Sequence, residues 1–212
     1  MARILITSGP TRQYLDPVRY LSNGSSGRMG RALVQAALDQ GHEVIVVSGP
    51  VELEYPPAAQ LIRVVSTEEL LEACRGCFPR CEGMIAAAAP CDYRPLAVAP
   101  QKMAKTGQPL QLQLIETPDV VAAVGRTKRA DQWIVGFALE TADPRIRGLV
   151  KLEKKSCDLM VLNGPEAMHS LRNEVEVIDR SGQLLAAFAG SKQEVADRLL
   201  QIFQQRLIAR FS

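Results

Sequence analysis

Ser8-Gly9-Pro10-Thr11-Arg12, running on through Leu15-Asp16-Pro17-Val18-Arg19-Tyr20-Leu21-Ser22-Asn23-Gly24-Ser25-Ser26-Gly27-Arg28-Met29-Gly30, is the stretch whose reading decides the fold. An apolar run, Ile4-Leu5-Ile6, comes before it, and Arg31-Ala32-Leu33-Val34-Gln35-Ala36-Ala37-Leu38 follows with helical character. A Gly- and Ser-rich connection from strand to helix is where an α/β fold meets anions, because backbone N–H groups and the helix dipole point there. The dinucleotide fingerprint Gly-x-Gly-x-x-Gly would turn in fewer residues. Here about twenty intervene, with two arginines, an Asn and a Ser pair, where a plain βα loop needs only a few. Gly27 and Gly30 have a second reading, close packing of helix on strand under an ordinary surface loop.

The 212 residues suit one domain, residues 1–212, with a sizeable core. Hydrophobic residues at 47% and charged residues at 23% are ordinary for a globular chain. A net charge of +2 speaks against nucleic-acid binding through a broad basic face. No apolar run reaches the roughly 18 residues of a membrane span, and no leader is expected before the strand that Met1-Ala2-Arg3 enters. The expected location is cytoplasmic. Five cysteines fit a reduced compartment. Cys74, Cys77 and Cys81 invite a metal reading, but they end a helix-like segment and lack a fourth ligand unless Cys91 joins them, so structural thiols are expected.

Strand-like and helix-like runs alternate along the chain. Strands are expected over 4–7, 43–48, 61–65, 83–89, 133–137 and 158–162. Helices are expected over 27–40, closed by Gly41, and from Ser66, whose capping box with Glu69 opens a helix to about Cys77. Others run over 118–126, with Pro118 in the first turn, and over 144–155. The stretch 91–109 breaks into Pro, Gly, Lys and polar residues and reads as a lid or binding loop. Residues 174–179 and 183–188 alternate about Arg180-Ser181-Gly182 as a β-hairpin. Ser191 and Glu194 then cap a last helix over 195–207. The fold class is α/β, Rossmann-like, a mostly parallel sheet flanked by helices with an antiparallel hairpin near the C-terminus.

Ligands of open α/β sheets sit at the carboxyl ends of strands. Arg12, Arg19 and Asn23 fall there, then Asp92, Tyr93, Arg94, Lys102 and Lys105, then Phe137, Glu140 and Asn163. Lys151 and Lys155, four apart, share a helix face. Converging cations and amides with few acids suit a polyanion such as a nucleoside triphosphate with a divalent cation. Each has a plainer alternative: a solvated face for Lys151, Lys154 and Lys155, a turn role for Asn23 and a cap for Asp92. His42 and His169 are expected to be structural or exposed, so no catalytic triad assembles. Neither a P-loop nor a Tyr-x-x-x-Lys pair is present.

In these blocks the chain resembles the phosphopantothenoylcysteine synthetase family, which often forms the C-terminal half of a bifunctional bacterial protein of coenzyme A biosynthesis. The resemblance is carried by Gly9-Pro10-Thr11-Arg12, the 16–27 block, Ala86–Ala89 with Asp92-Tyr93-Arg94-Pro95, Ala99-Pro100-Gln101-Lys102, Thr117-Pro118-Asp119, Gly136-Phe137-Ala138-Leu139-Glu140-Thr141, and Lys155 with Asp158 and Asn163. It implies a ligase that activates 4′-phosphopantothenate with CTP, aided by Mg2+, and passes the acyl group to cysteine. Eukaryotic members use ATP in place of CTP. By matching position, Asn23 handles the acyl-nucleotide with Arg19 and the Ser25-Ser26-Gly27 turn beside it, and Lys102 on a loop helps form it. Ala86, Ala87, Ala88 and Asp92 match the cytidine-binding strand end. Pro118, Asp119, Val120, Val121, Phe137, Lys151 and Lys155 match the rest of the nucleotide site. The resemblance also implies a homodimer and a decarboxylase partner or fused domain, with no nucleic acid or membrane. One departure stands out: the family's Lys-x-Lys-Lys loop reads Lys102-Met103-Ala104-Lys105, without its middle lysine. The alternatives are a Rossmann-like NAD(P)-dependent oxidoreductase, against which the missing Gly-x-Gly-x-x-Gly and Tyr-x-x-x-Lys count, and a nucleotide-binding scaffold without turnover.

Overall fold

The computed structural model describes residues 1–139, 143–164 and 172–210, with the side chains of Arg172 and Arg210 left aside. In chain order the elements are β1 (Arg3–Ser8), β2 (Arg12–Tyr14), β3 (Tyr20–Ser22), α1 (Arg28–Asp39), β4 (Glu43–Ser48), β5 (Gln60–Arg63) and α2 (Thr67–Cys77). Then come β6 (Gly83–Ala86), β7 (Tyr93–Pro95), β8 (Leu114–Glu116), α3 (Val120–Gly125), β9 (Trp133–Leu139) and α4 (Pro144–Lys154). β10 (Leu159–Asn163), β11 (Arg172–Asp179), β12 (Leu184–Ser191) and α5 (Lys192–Arg206) complete the set. The expected Glu140, Thr141 and His169 lie outside the described residues.

Eight strands form one sheet in the order β12-β11-β10-β9-β6-β1-β4-β5. From β5 to β10 every pairing is parallel, and β11 and β12 add antiparallel strands at one edge. Read by first appearance, the parallel strands run 3-2-1-4-5-6, the doubly wound order, whose direction of winding reverses between β1 and β6. That reversal opens a crevice at the carboxyl ends of these two strands. Their residues explain the parallel core: Ile4-Leu5-Ile6 and Val44-Ile45-Val46-Val47 are buried on both faces, as continuous apolar runs in a covered sheet must be. One core layer lies under α1 and α5, gathering Leu33, Val34, Trp133, Val161, Leu199 and Phe203. The other lies under α2, α3 and α4, gathering Leu5, Leu70, Met84, Val124, Leu152 and Met160.

The expected strands and helices are present, with revised ends. β6 stops at Ala86, because the next residues leave the ladder to line the crevice; Ala89 returns only as an isolated parallel bridge to Pro10. Pro118 precedes the helix that it was expected to open: Asp119 is the N-cap and accepts from Ala122 N–H at 3.0 Å. At α2 the capping box is half formed, since Ser66 accepts from Glu69 N–H, but Glu69 reaches Val65 N–H and not Ser66. At α5 the reciprocal box of Ser191 and Glu194 is complete. Two short hairpins were not expected. β2 pairs with β3 inside the long elbow, and β7 pairs with β8 across the lysine-bearing stretch, so 91–109 is only partly irregular. Three-residue strands escape a period-2 reading, and here β8 lies 21 residues after β7.

Candidate functional site

Three layers of hydrogen bonds shape the crevice. Gly27 caps α1 in the left-handed region, φ 73°, which favours glycine. Ser8 Oγ donates to its carbonyl at 3.1 Å, Tyr55 Oη donates to Ser8 Oγ at 2.7 Å, and Ser48 Oγ lies 2.9 Å from Tyr55 Oη. Gly30 must be small, because a Cβ there would stand 2.1 Å from Ser8 Oγ. The packing and anion readings of these two glycines therefore both apply: Gly30 lets α1 sit on β1, and Gly27 leaves the first-turn N–H groups without a side-chain cap.

Thr11 joins the elbow to the loop after β6, accepting from Cys91 N–H at 2.8 Å and meeting Thr67 Oγ1 at 2.8 Å. Thr117 Oγ1 donates to Cys91 carbonyl at 2.7 Å. Asn23 Nδ2 donates to the carbonyls of Pro90 at 2.8 Å and Ala89 at 3.3 Å. The turn role expected as its alternative is thus not the one observed: Asn23 closes the crevice across 67 residues of sequence.

Two hollows meet here. One, of about 260 Å³, runs from Ser25, Ser26, Gly27 and α1's first turn to Ala87, Ala88, Phe137, Lys151 and Asn163. The other, of about 300 Å³, is walled by Ala86, Pro118, Asp119, Val120, Val121 and Lys155. Both include Ala88, Asp92 and Phe137, so they are parts of one crevice. Together they gather the nucleotide- and phosphate-site residues that the resemblance implied, while Asn23 braces the wall, Arg12, Arg19, Arg94, Lys102 and Lys105 line neither hollow, and Glu140 lies outside the described residues. A larger hollow of about 680 Å³, with Arg12, Arg28 and Arg63, lies across the Ser25-Ser26 turn and does not reach Phe137 or Asp92. We place the site at the switch point, not in this larger space, because the strand ends and uncapped helix converge there.

Several charges have structural partners. Asp119 pairs with Lys155 at 3.2 Å while capping α3, so the 118–121 loop offers mainly backbone groups and apolar walls. Lys151 and Lys155 do not share one hollow as their spacing suggested: the first lies in α4, the second at its C-cap. Arg19 is engaged away from both hollows, with Nη1 donating to Asp16 Oδ2 at 2.7 Å and to Met103 carbonyl at 3.0 Å. Burial would raise the Asp16 carboxyl, but hydrogen bonds from Val18, Met103 and Arg19 outweigh it and hold it down at about 2. A depressed carboxyl of this kind contributes stability above its unfolded value and loses it as pH falls toward about 2, so these contacts persist at working pH.

Asn173 and Lys192 also line the first hollow and went unread in the sequence. Asn173 is buried with Oδ1 unpartnered among the described residues, and burial followed by the Arg28 charge lowers the Lys192 ammonium. Asn173 is the second residue of β11, just before the hairpin expected over 174–179, and Lys192 starts α5, where the sequence read only a cap. The five cysteines are buried and free, and no group of three or more metal-binding His, Cys, Asp or Glu side chains occurs among the described residues. Nor is any described helix long and apolar enough to cross a membrane.

Comparison with known proteins follows the same residues. A sequence profile described as the DNA/pantothenate metabolism flavoprotein C-terminal domain matches residues 1–207. The coenzyme A biosynthesis bifunctional protein CoaBC of Vibrio vulnificus (strain YJ016) is 43% identical over 76% of this chain. That of Haemophilus influenzae is 34% identical over 95% of it. The chain spans only 40% and 51% of the length of these two relatives. A crystal structure of the C-terminal domain of a CoaBC protein superposes with a TM-score of 0.84 at 33% identity, covering 98% of this chain and 96% of that one. With profile, relatives and fold in agreement, the chain belongs to the DNA/pantothenate metabolism flavoprotein C-terminal domain family.

Proposed function

We propose that this chain is a phosphopantothenate–cysteine ligase of coenzyme A biosynthesis, acting as one nucleotide-binding unit. The observation that carries the reading is the two-part crevice at the strand-order reversal: an apolar slot beside the 118–121 backbone for a pyrimidine base, opening onto an uncapped helix N-terminus for phosphates. In the proposed first step a carboxylate oxygen of 4′-phosphopantothenate attacks the α-phosphorus of CTP. The bond to the β-phosphate breaks and pyrophosphate leaves. In the second the amine of cysteine attacks the acyl carbon of the cytidylate, its proton is lost, an amide forms and CMP departs. The α1 first turn, Lys151 and Lys102 neutralise charge, and fixed walls hold the reactants close.

A Mg2+ ion would supply further charge neutralisation on the triphosphate. The donor set fits an ion that arrives with its nucleotide: Asp92 is the one carboxylate common to both hollows, and Mg2+ keeps phosphate oxygens and waters as its other ligands. A decarboxylase partner or fused domain would consume the product, and a cytoplasmic location suits these substrates.

The decisive assay measures pyrophosphate from phosphopantothenate and cysteine with CTP or ATP. Release with CTP is expected; release with ATP alone would revise the base, and none with either would overturn the reading.

A homodimer is part of the proposal. Val18 is 57% exposed, Leu96 55%, Val98 56% and Leu110 63%, and Tyr20 and Tyr93 are also exposed. All six lie on the elbow hairpin or the β7–β8 arm, an apolar patch of the kind that marks an interface. Light scattering is expected to give twice the 23.2 kDa chain mass, and a monomer at tens of micromolar would remove this element.

A further inference from the structure

Between Pro95 and Leu114 the chain has no helix or strand, yet its backbone around Lys102 is held at two points. Ala99 N–H donates to Leu15 carbonyl at 2.9 Å. Four residues on, Met103 N–H donates to Asp16 Oδ2 at 3.1 Å, and Met103 carbonyl accepts from Arg19 Nη1 at 3.0 Å. Lys102 stands next to the second anchor. Its own side chain is exposed, with no ion pair or hydrogen bond among the described residues.

Asp16 is fully buried and divides its two oxygens between two tasks. Oδ1 accepts from Val18 N–H and Arg19 N–H, both at 2.8 Å, which is a local turn. An Asn would serve that task equally well. Oδ2 looks the other way, accepting from the Arg19 guanidinium at 2.7 Å and from Met103 N–H across 87 residues. A buried carboxylate is costly unless donors surround it, and the donors to Oδ2 are what the turn does not require. The charge therefore serves Arg19 and, through the shared contact of both residues with Met103, the distant segment.

We propose that Asp16 is a positioning residue for the ligase reaction: through Oδ2 it fixes Met103, and with it the adjoining Lys102, relative to the elbow. The proposal rests on the ligase reading and gives Arg19 a matching task, bracing the same anchor. The ammonium is left free for the nucleotide while its backbone is fixed, so ordering is settled before substrate arrives.

The test uses the whole chain and two substitutions. D16N keeps an oxygen for the turn and turns an NH2 group toward the donors of Met103 and Arg19. M103P removes the Met103 N–H, together with its side chain and some backbone freedom at 102 and 103, and leaves Asp16 and Arg19 intact. Without substrate, trypsin is expected to cut after Lys105 on the order of 10-fold faster in both variants than in wild type. With substrates, kcat for pyrophosphate release is expected to fall on the order of 10- to 100-fold, as for a misplaced catalytic group. The KM for CTP is expected to stay within about twofold. Unchanged cutting in M103P, or a raised KM with kcat intact, would overturn the assignment. If D16N fails to fold, M103P decides alone. Should wild type release no pyrophosphate, the ligase reading fails, and the proteolysis result still decides the anchor.

Discussion

Asn23→Asp is expected to reduce amide formation by about 100-fold or more, because it breaks the wall that the Asn23 amide holds and adds a negative charge beside the reacting groups. The structure adds a cause to the one the resemblance supplies. Nδ2 donates to the carbonyls of Pro90 and Ala89, and an aspartate would set a carboxylate against both oxygens. Facing charged and dipolar acceptors without a proton between them costs at least the full price of an unmade hydrogen bond, about 1–3 kcal/mol. The Ala88–Pro90 wall should shift, and a new negative charge would oppose the incoming carboxylate. Ala88 and Pro90 also line the proposed base slot, so CTP affinity is expected to weaken several-fold, well short of the loss in amide formation. Measuring CMP and pyrophosphate separately checks this; wild-type CMP production would remove Asn23 from the reaction.

Lys102→Gln should suppress pyrophosphate release by on the order of 100- to 1,000-fold, since it removes the charge and shortens the reach while keeping a polar end. The neighbouring anchors at Ala99 and Met103 involve backbone atoms, so the segment should keep its place. Calorimetry with CTP is expected to register a much smaller change than single-turnover pyrophosphate release. Equal losses in both would mean that Lys102 binds the ground state instead of stabilising charge as the bond breaks.

The sheet was legible because its inner parallel strands are buried on both faces: Val44-Ile45-Val46-Val47 cannot be an amphipathic helix, and such runs alternating with helical stretches, with the half-exposed β5 at the edge, leave one architecture. The crevice followed, since the topology puts the strand ends together whatever side chains they carry. Small features with long-range causes were not legible. β7 is three residues, its partner β8 lies beyond a Pro- and Gly-rich stretch, and only pairing makes either a strand. Arg19 read as a substrate contact because a guanidinium in a polar loop gives no sign that a buried carboxylate three residues earlier holds it. Asn173 was hidden for the opposite reason: a polar residue just outside the expected hairpin strand looks like exposed loop, yet it lies in β11 and is buried against the crevice.

The sheltered thiols carry one last implication. All five sulfurs lie inside the protein, and burial raises Cys74, holds Cys81 at about 11 and holds Cys157 at about 12. Exchange with a disulfide needs an accessible thiolate, which these positions withhold. For the proposed ligase, whose substrate would be free cysteine, the protein thus offers an oxidised form of that amino acid no exposed sulfur on which to become covalently attached.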